Sequence, residues 1–144
     1  MAKWLKPTVD TKFAIDMRWW ERKGNSFRSH LRDALCPECR ETFNSLQQAG
    51  DTDWVDPRTG EVTKQDALWY SLRTCCSLKP GYIGPNTAII QSVFRTFLAN
   101  GNQPLSTSEL YERIDRRPPE VLLRILTKGE LHLGIRPIFP SDDD

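Results

Sequence analysis

No apolar run in this chain approaches the roughly 18 residues that a membrane-spanning helix needs. The opening MAKWLKPTVDTK also lacks the apolar stretch of a secretion signal. These absences lead to the expectation of a cytoplasmic protein with no membrane partner, whose thiols stay reduced. Histidine is scarce, with two in 144 residues, so a Cys–His or Ser–His nucleophilic pair has few possible members. There is no glycine-rich phosphate loop, no His-Glu-x-x-His helix and no nucleophile elbow. The expectation is therefore a protein that is not an enzyme and has no evident small-molecule substrate. Net charge is nearly absent too, at +1 from 20 basic and 19 acidic groups. Residues 1–50 carry nine basic and six acidic groups, residues 51–85 four and five, and residues 86–138 seven and five, and Asp142, Asp143 and Asp144 close the chain. No segment has the strongly positive field typical of non-specific nucleic-acid binding.

Apolar residues make up 38% and charged residues 27% of the chain, which places it among globular proteins and not disordered ones. Its length suits one compact domain or two small lobes. FAIDMRWWERKG reads as a short helix with Asp16 near its start and Gly24 past its end. SFRSHLRDAL is a second helix, with Ser26 as N-cap and Phe27, Leu31, Ala34 and Leu35 at helical spacing, stopping near Cys36 ahead of Pro37. RETFNSLQQAG reads as a third, ended by Gly50. Asp53–Asp56 and Glu61–Thr63 flank a turn rich in Pro57, Thr59 and Gly60, the pattern of a β-hairpin. Thr63 and Asp66 stand at capping-box spacing before a helix carrying Leu68, Leu72, Cys75 and Cys76 at i, i+4, i+7 and i+8. SLKPGYIGPN, with two prolines and two glycines, marks the boundary between lobes: a lobe over 1–78, a linker over 79–85, a second domain over 86–138 and an acidic tail over 139–144. All five tryptophans fall in the first half, as if packing the first lobe's core.

LCPECRETF carries the densest chemistry. Cys36 and Cys39 form a Cys-x-x-Cys turn, and the two remaining cysteines, Cys75 and Cys76, follow together after 35 intervening residues. A Cys-x-x-Cys turn supplies two thiolates to a tetrahedral ion because its backbone N–H groups point at the sulfurs. CPEC resembles the first half of a zinc knuckle, with Arg40 where many knuckles have glycine. The resemblance implies a structural zinc held by Cys36, Cys39, Cys75 and Cys76. Adjacent cysteines on a regular helix point about 100° apart, so both can reach one ion only where the helix frays. Three alternatives stay open: His30 replacing one thiolate, four cysteines without metal, and a thioredoxin-like redox pair.

In the last third, TAIIQSVFRTFLANG is an amphipathic helix with Ile90, Phe94, Phe97 and Leu98 on one face. PLSTSELYERID has Ser106 and Glu109 as a capping box, with Leu110 and Ile114 inward. RRPPEVLLRILTKG has prolines in its first turn, an apolar stripe of Val121, Leu122, Ile125 and Leu126, and Gly129 past its end. ELHLGIRPI is a strand. These segments, over residues 86–138, resemble a winged helix-turn-helix domain. The resemblance implies that the third helix meets DNA, with Arg116, Arg117, Arg124, Lys128 and Arg136 as nucleic-acid-binding residues. Glu120 and Leu123 on the same helix suit a protein partner instead. The sequence is thus read as an α+β, mostly helical protein. It would have a zinc-stabilised first lobe with a β-hairpin and a winged-helix-like second lobe, acting as a nucleic-acid-associated or regulatory module. The alternative is a protein–protein adaptor using the same helix face.

Overall fold

The computed structural model of the chain describes residues 6–22, 26–45, 51–55, 60, 62–129 and 132–138. Among them are seven α-helices, a three-stranded antiparallel sheet and a separate two-stranded antiparallel sheet, an α+β and mostly helical architecture. None of these helices is long and apolar enough to cross a membrane. The chain divides into two units. One comprises Met1–Lys23 together with Pro85–Asp144, and the other Gly24–Gly84. The second unit ends inside SLKPGYIGPN. The first 23 residues, however, group with the C-terminal part and not with the lobe that follows them.

The cause is strand β1, Lys12–Ile15. FAIDMRWW reads locally as one helix, but Phe13, Ala14 and Ile15 are buried strand residues, and helix α1 begins only at Met17 and ends at Arg22. β1 lies at the centre of the three-stranded sheet. It pairs antiparallel with β4 (Leu105–Ser106), Phe13 opposite Leu105, and with β5 (Ile135–Ile138), Ile15 opposite Ile135. Both partners are roughly ninety or more residues away along the chain, so no local pattern announces them. Pairing on two sides overrides the helical period. Asp16 does open α1 as expected, its carboxylate accepting from the Arg18 N–H.

Around this sheet, α5 (Ile89–Ala99), α6 (Thr107–Ile114) and α7 (Pro119–Thr127) bury Val93, Phe94, Phe97, Leu98, Leu110, Leu122 and Leu126. Ile90, Ile114, Val121 and Ile125 are half-buried, at the edges of the same stripes. Trp20 packs on Phe94 with ring centroids 5.7 Å apart, and its indole N–H donates to the Leu133 carbonyl. Trp19 and Trp20 therefore belong to this core. Of the other three tryptophans expected in the first lobe, Trp69 does lie there. Gly134, at φ +75, passes so close that a Cβ would come within 2.9 Å of Trp20 Nε1. ELHLGIRPI is accordingly not one strand: Leu133 and Gly134 form a turn with positive φ, and the strand begins at Ile135.

Side chains complete what the short strands leave open. Asn102, itself left-handed at φ 63, accepts from the Ile15 N–H at 2.8 Å and donates to the Ile15 carbonyl at 2.9 Å. Its amide thus stands in for a strand partner beyond β4. Asn102→Ala should destabilise the protein by about 2–3 kcal/mol in urea unfolding, because both backbone groups of a buried residue lose their partner. The Ser106–Glu109 capping box is formed in both directions. The Lys12 ammonium also bonds Glu109 and, with the Ser106 N–H, holds its carboxyl below the ordinary value of 4.5. A depressed carboxyl contributes stability above its unfolded pKa and loses it as pH falls through the folded one. The stability deficit of Glu109→Gln should therefore be present at neutral pH and vanish under acid titration below pH ~4.

In the other unit, α2 (Ser26–Ala34) is followed by α3 (Pro37–Ser45). The third helix thus starts at Pro37, three residues earlier than the sequence suggests. Proline suits that first position, since its missing N–H would be unpaired there in any case. Strands β2 (Asp51–Val55) and β3 (Val62–Asp66) form the hairpin, with Trp54 opposite Thr63. The helix expected to open at Thr63 begins later. β3 runs through Asp66, and α4 (Ala67–Thr74) starts at the next residue, because ladder pairing holds Thr63 extended. Leu31, Leu35, Leu68 and Leu72 are buried, and the Phe27 and Trp69 rings lie 5.4 Å apart. The expected helix ends at Gly24 and Gly50, the turn residues Pro57 and Thr59 and the acidic tail lie outside the described residues.

A candidate metal centre of four cysteines

Leu31, Leu35, Leu68 and Leu72 bring the end of α2 and the end of α4 into one core, and the four cysteines sit at those ends. Cys36 precedes α3, and Cys39 lies in its first turn. The helix begins across the motif, with the Arg40 N–H donating to the Cys36 carbonyl at 2.9 Å. Arg40, which departs from the usual knuckle glycine, sends its guanidinium back to the Asp33 and Leu35 carbonyls. There it caps the C-terminal end of α2, where a cation is favoured.

The vicinal pair is resolved by a break in the backbone. Cys75 leaves α4 with φ −128 and ψ −64, and Cys76 opens a 3₁₀ turn, Cys76–Leu78. Two neighbours that would diverge on a continuing helix can thereby turn to one side. All four sulfurs lie within 4.8 Å of one another, with Cys36 and Cys76 buried and Cys39 and Cys75 half-buried. Cys36 and Cys76 Sγ are 3.4 Å apart, and all four thiols are free. A bonded disulfide needs about 2.05 Å, whereas sulfurs at the corners of a tetrahedron around zinc, at 2.3 Å from the ion, stand about 3.8 Å apart. The spread is that of a four-sulfur cage. His30, half-buried on α2, is not part of the group.

The electrostatics fit such a cage. Burial disfavours the Cys36 thiolate, but the backbone N–H of Cys39 and the thiols of Cys76 and Cys39 outweigh it and bring Cys36 to about 7. Burial, and then hydrogen bonding to Cys36, push Cys39 up, and burial also raises Cys76. Burial thus favours the protonated form of Cys39 and Cys76, while Cys36 ionises more readily than an ordinary thiol. A divalent ion is the species that would let all four ionise together.

The cationic residues singled out in the sequence are placed differently. Arg116 is half-buried and donates to the Ser92 hydroxyl at 3.0 Å and to the Thr87 carbonyl, fastening the approach to α7 onto the start of α5. The Arg136 guanidinium pairs with Asp16 at 3.0 Å. Arg117, Arg124 and Lys128 are exposed. Leu123 is half-buried, with less apolar surface than a solvent-facing leucine would offer.

No protein-family model, curated protein or solved structure matches the chain. The class rests on its own geometry: an α+β protein with a clustered set of four cysteines suited to a metal ion.

Proposed function

We propose that Cys36, Cys39, Cys75 and Cys76 hold one structural zinc ion, and that the unit containing α5–α7 is a winged-helix-like module that binds nucleic acid without catalysing a reaction. Zinc is favoured because four thiolates in a closed tetrahedron suit a soft-tolerant ion with no redox chemistry, and no open position remains for a substrate. The order helix α5, strand β4, helices α6 and α7, strand β5 supports the winged-helix reading. β1 then takes the central place in the sheet that a later strand would fill in the common arrangement. A cytoplasmic location accords with reduced thiols.

The observation that carries the nucleic-acid reading is α7 itself. It is the second helix of the α6–α7 pair, and it presents Arg124 on its exposed side, with Arg117 just ahead of it and Lys128 at its end. The adaptor reading has less to rest on, since Leu123 is half-buried. Fluorescence anisotropy with labelled duplex DNA and RNA, at micromolar protein and low salt, tests the proposal. Binding that weakens as salt rises supports it, and no binding to either overturns it.

A further inference from the structure

Glu38 and Lys79 are brought together by the same convergence that gathers the cysteines. Glu38 lies inside the Cys-x-x-Cys turn, between Cys36 and Cys39. Lys79 lies three residues past Cys76, and its N–H donates to the Cys76 carbonyl at 3.1 Å as the 3₁₀ turn closes. The Lys79 ammonium donates to the Glu38 carboxylate, linking the two cysteine segments across 41 positions of sequence. One ammonium is thus bonded inside the Cys-x-x-Cys turn while its own backbone closes the turn that begins at Cys76.

We infer that Lys79 is a positioning residue of the metal centre. It supplies a positive charge at the edge of the four sulfurs, and Glu38, between Cys36 and Cys39, holds it there. The inference rests on the metal reading above. A dication bound by four thiolates carries a net charge of −2, placed here partly inside an apolar core, and an ammonium held within the Cys-x-x-Cys turn offsets part of it. An exposed ion pair by itself contributes little. The Lys79 head group acts instead on a half-buried anionic centre, where groups surrounding the ligands alter metal affinity by roughly 10–100-fold. The Glu38 carboxylate accepts from the Lys79 ammonium and keeps it anchored at the motif.

Full-length protein loaded with zinc, and separately with cobalt(II), provides the test, with Lys79→Met, Lys79→Arg and Glu38→Gln compared with wild type. Zinc transfer to a chromophoric chelator should be about tenfold faster in Lys79→Met, at the low end of the range for such neighbours. It should be restored to within about twofold by Lys79→Arg, and accelerated less by Glu38→Gln, which keeps the ammonium but removes its anchor. A positive neighbour stabilises the sulfur lone pairs. The sulfur-to-cobalt charge-transfer band should therefore move to longer wavelength in Lys79→Met and stay in place in Lys79→Arg, a change that a purely architectural role would not produce. Unchanged transfer rates and an unmoved band in Lys79→Met would overturn the inference while leaving the metal centre intact. So would equal loss in Lys79→Met and Lys79→Arg. A wild-type protein that takes up neither ion would overturn both readings.

Discussion

Protein purified without chelators should contain close to one zinc per chain, and Cys36→Ser or Cys39→Ser should abolish it. Both variants should also lose the cooperative folding of Gly24–Gly84. The described core of that unit is small: four leucines, Ala34, Tyr82, the Phe27–Trp69 pair and the buried Cys36 and Cys76 sulfurs themselves. A core of this size gives little stability alone, whereas structural zinc contributes apparent binding energies of about 10–16 kcal/mol in zinc-finger peptides, nearly all of it appearing as folding energy. A strong chelator should thus collapse the amide dispersion of residues 24–84 in a two-dimensional NMR spectrum. Signals from Phe13, Phe94, Phe97 and Leu110 should stay dispersed, because their core contains no sulfur ligand. Cys75→Ser and Cys76→Ser should each release the metal, since their sulfurs stand in the same cage. Retention of zinc in Cys75→Ser would point to a three-cysteine site, with His30→Ala as the next variant. Absence of metal from all preparations would remove the centre altogether.

Nucleic-acid affinity should fall with salt at a slope of log affinity against log salt of roughly −2.7, the value for three phosphate contacts on duplex DNA. Five cations in the sequence would predict roughly −4.5, but Arg116 and Arg136 already serve Ser92, Thr87 and Asp16. Replacing Arg117 and Lys128 together with alanine should make the slope shallower by about 1.8 for any sequence tested. Arg124→Ala should also relax sequence preference, by about 1–3 kcal/mol at the base it reads, if its exposed position on α7 faces base edges. Arg116→Ala should instead lower stability, leaving the Ser92 hydroxyl and Thr87 carbonyl without their guanidinium partner. A slope near −4.5 that Arg116→Ala reduces would show that the internal bonds of Arg116 open on binding.

Much of this protein is legible without coordinates, and the reason is locality. The helices α2, α5, α6 and α7 follow from apolar spacing, the Ser106–Glu109 box from its three-residue interval, and the end of α7 from Gly129, which takes φ +74 as a glycine past a helix should. The Cys-x-x-Cys spacing and the vicinal pair already mark four sulfurs as candidates for one ion, beside the alternatives of His30 or no metal; that they cluster is visible only in the fold. Tertiary structure decided whatever depends on residues far apart. Phe13–Ile15 is a strand because β4 and β5 arrive on both sides of it, and Asn102 matters because it finishes that ladder. Cys75 and Cys76 share a cage because the backbone breaks between them where α4 ends against α2. Lys79 meets Glu38 through the same closure. Arg116 and Arg136 read as surface cations in a sequence, where charge is visible and partners are not. Only the folded chain supplies a hydroxyl and a carbonyl to a half-buried Arg116, and a carboxylate to an Arg136 that stays exposed, all at 3 Å or less.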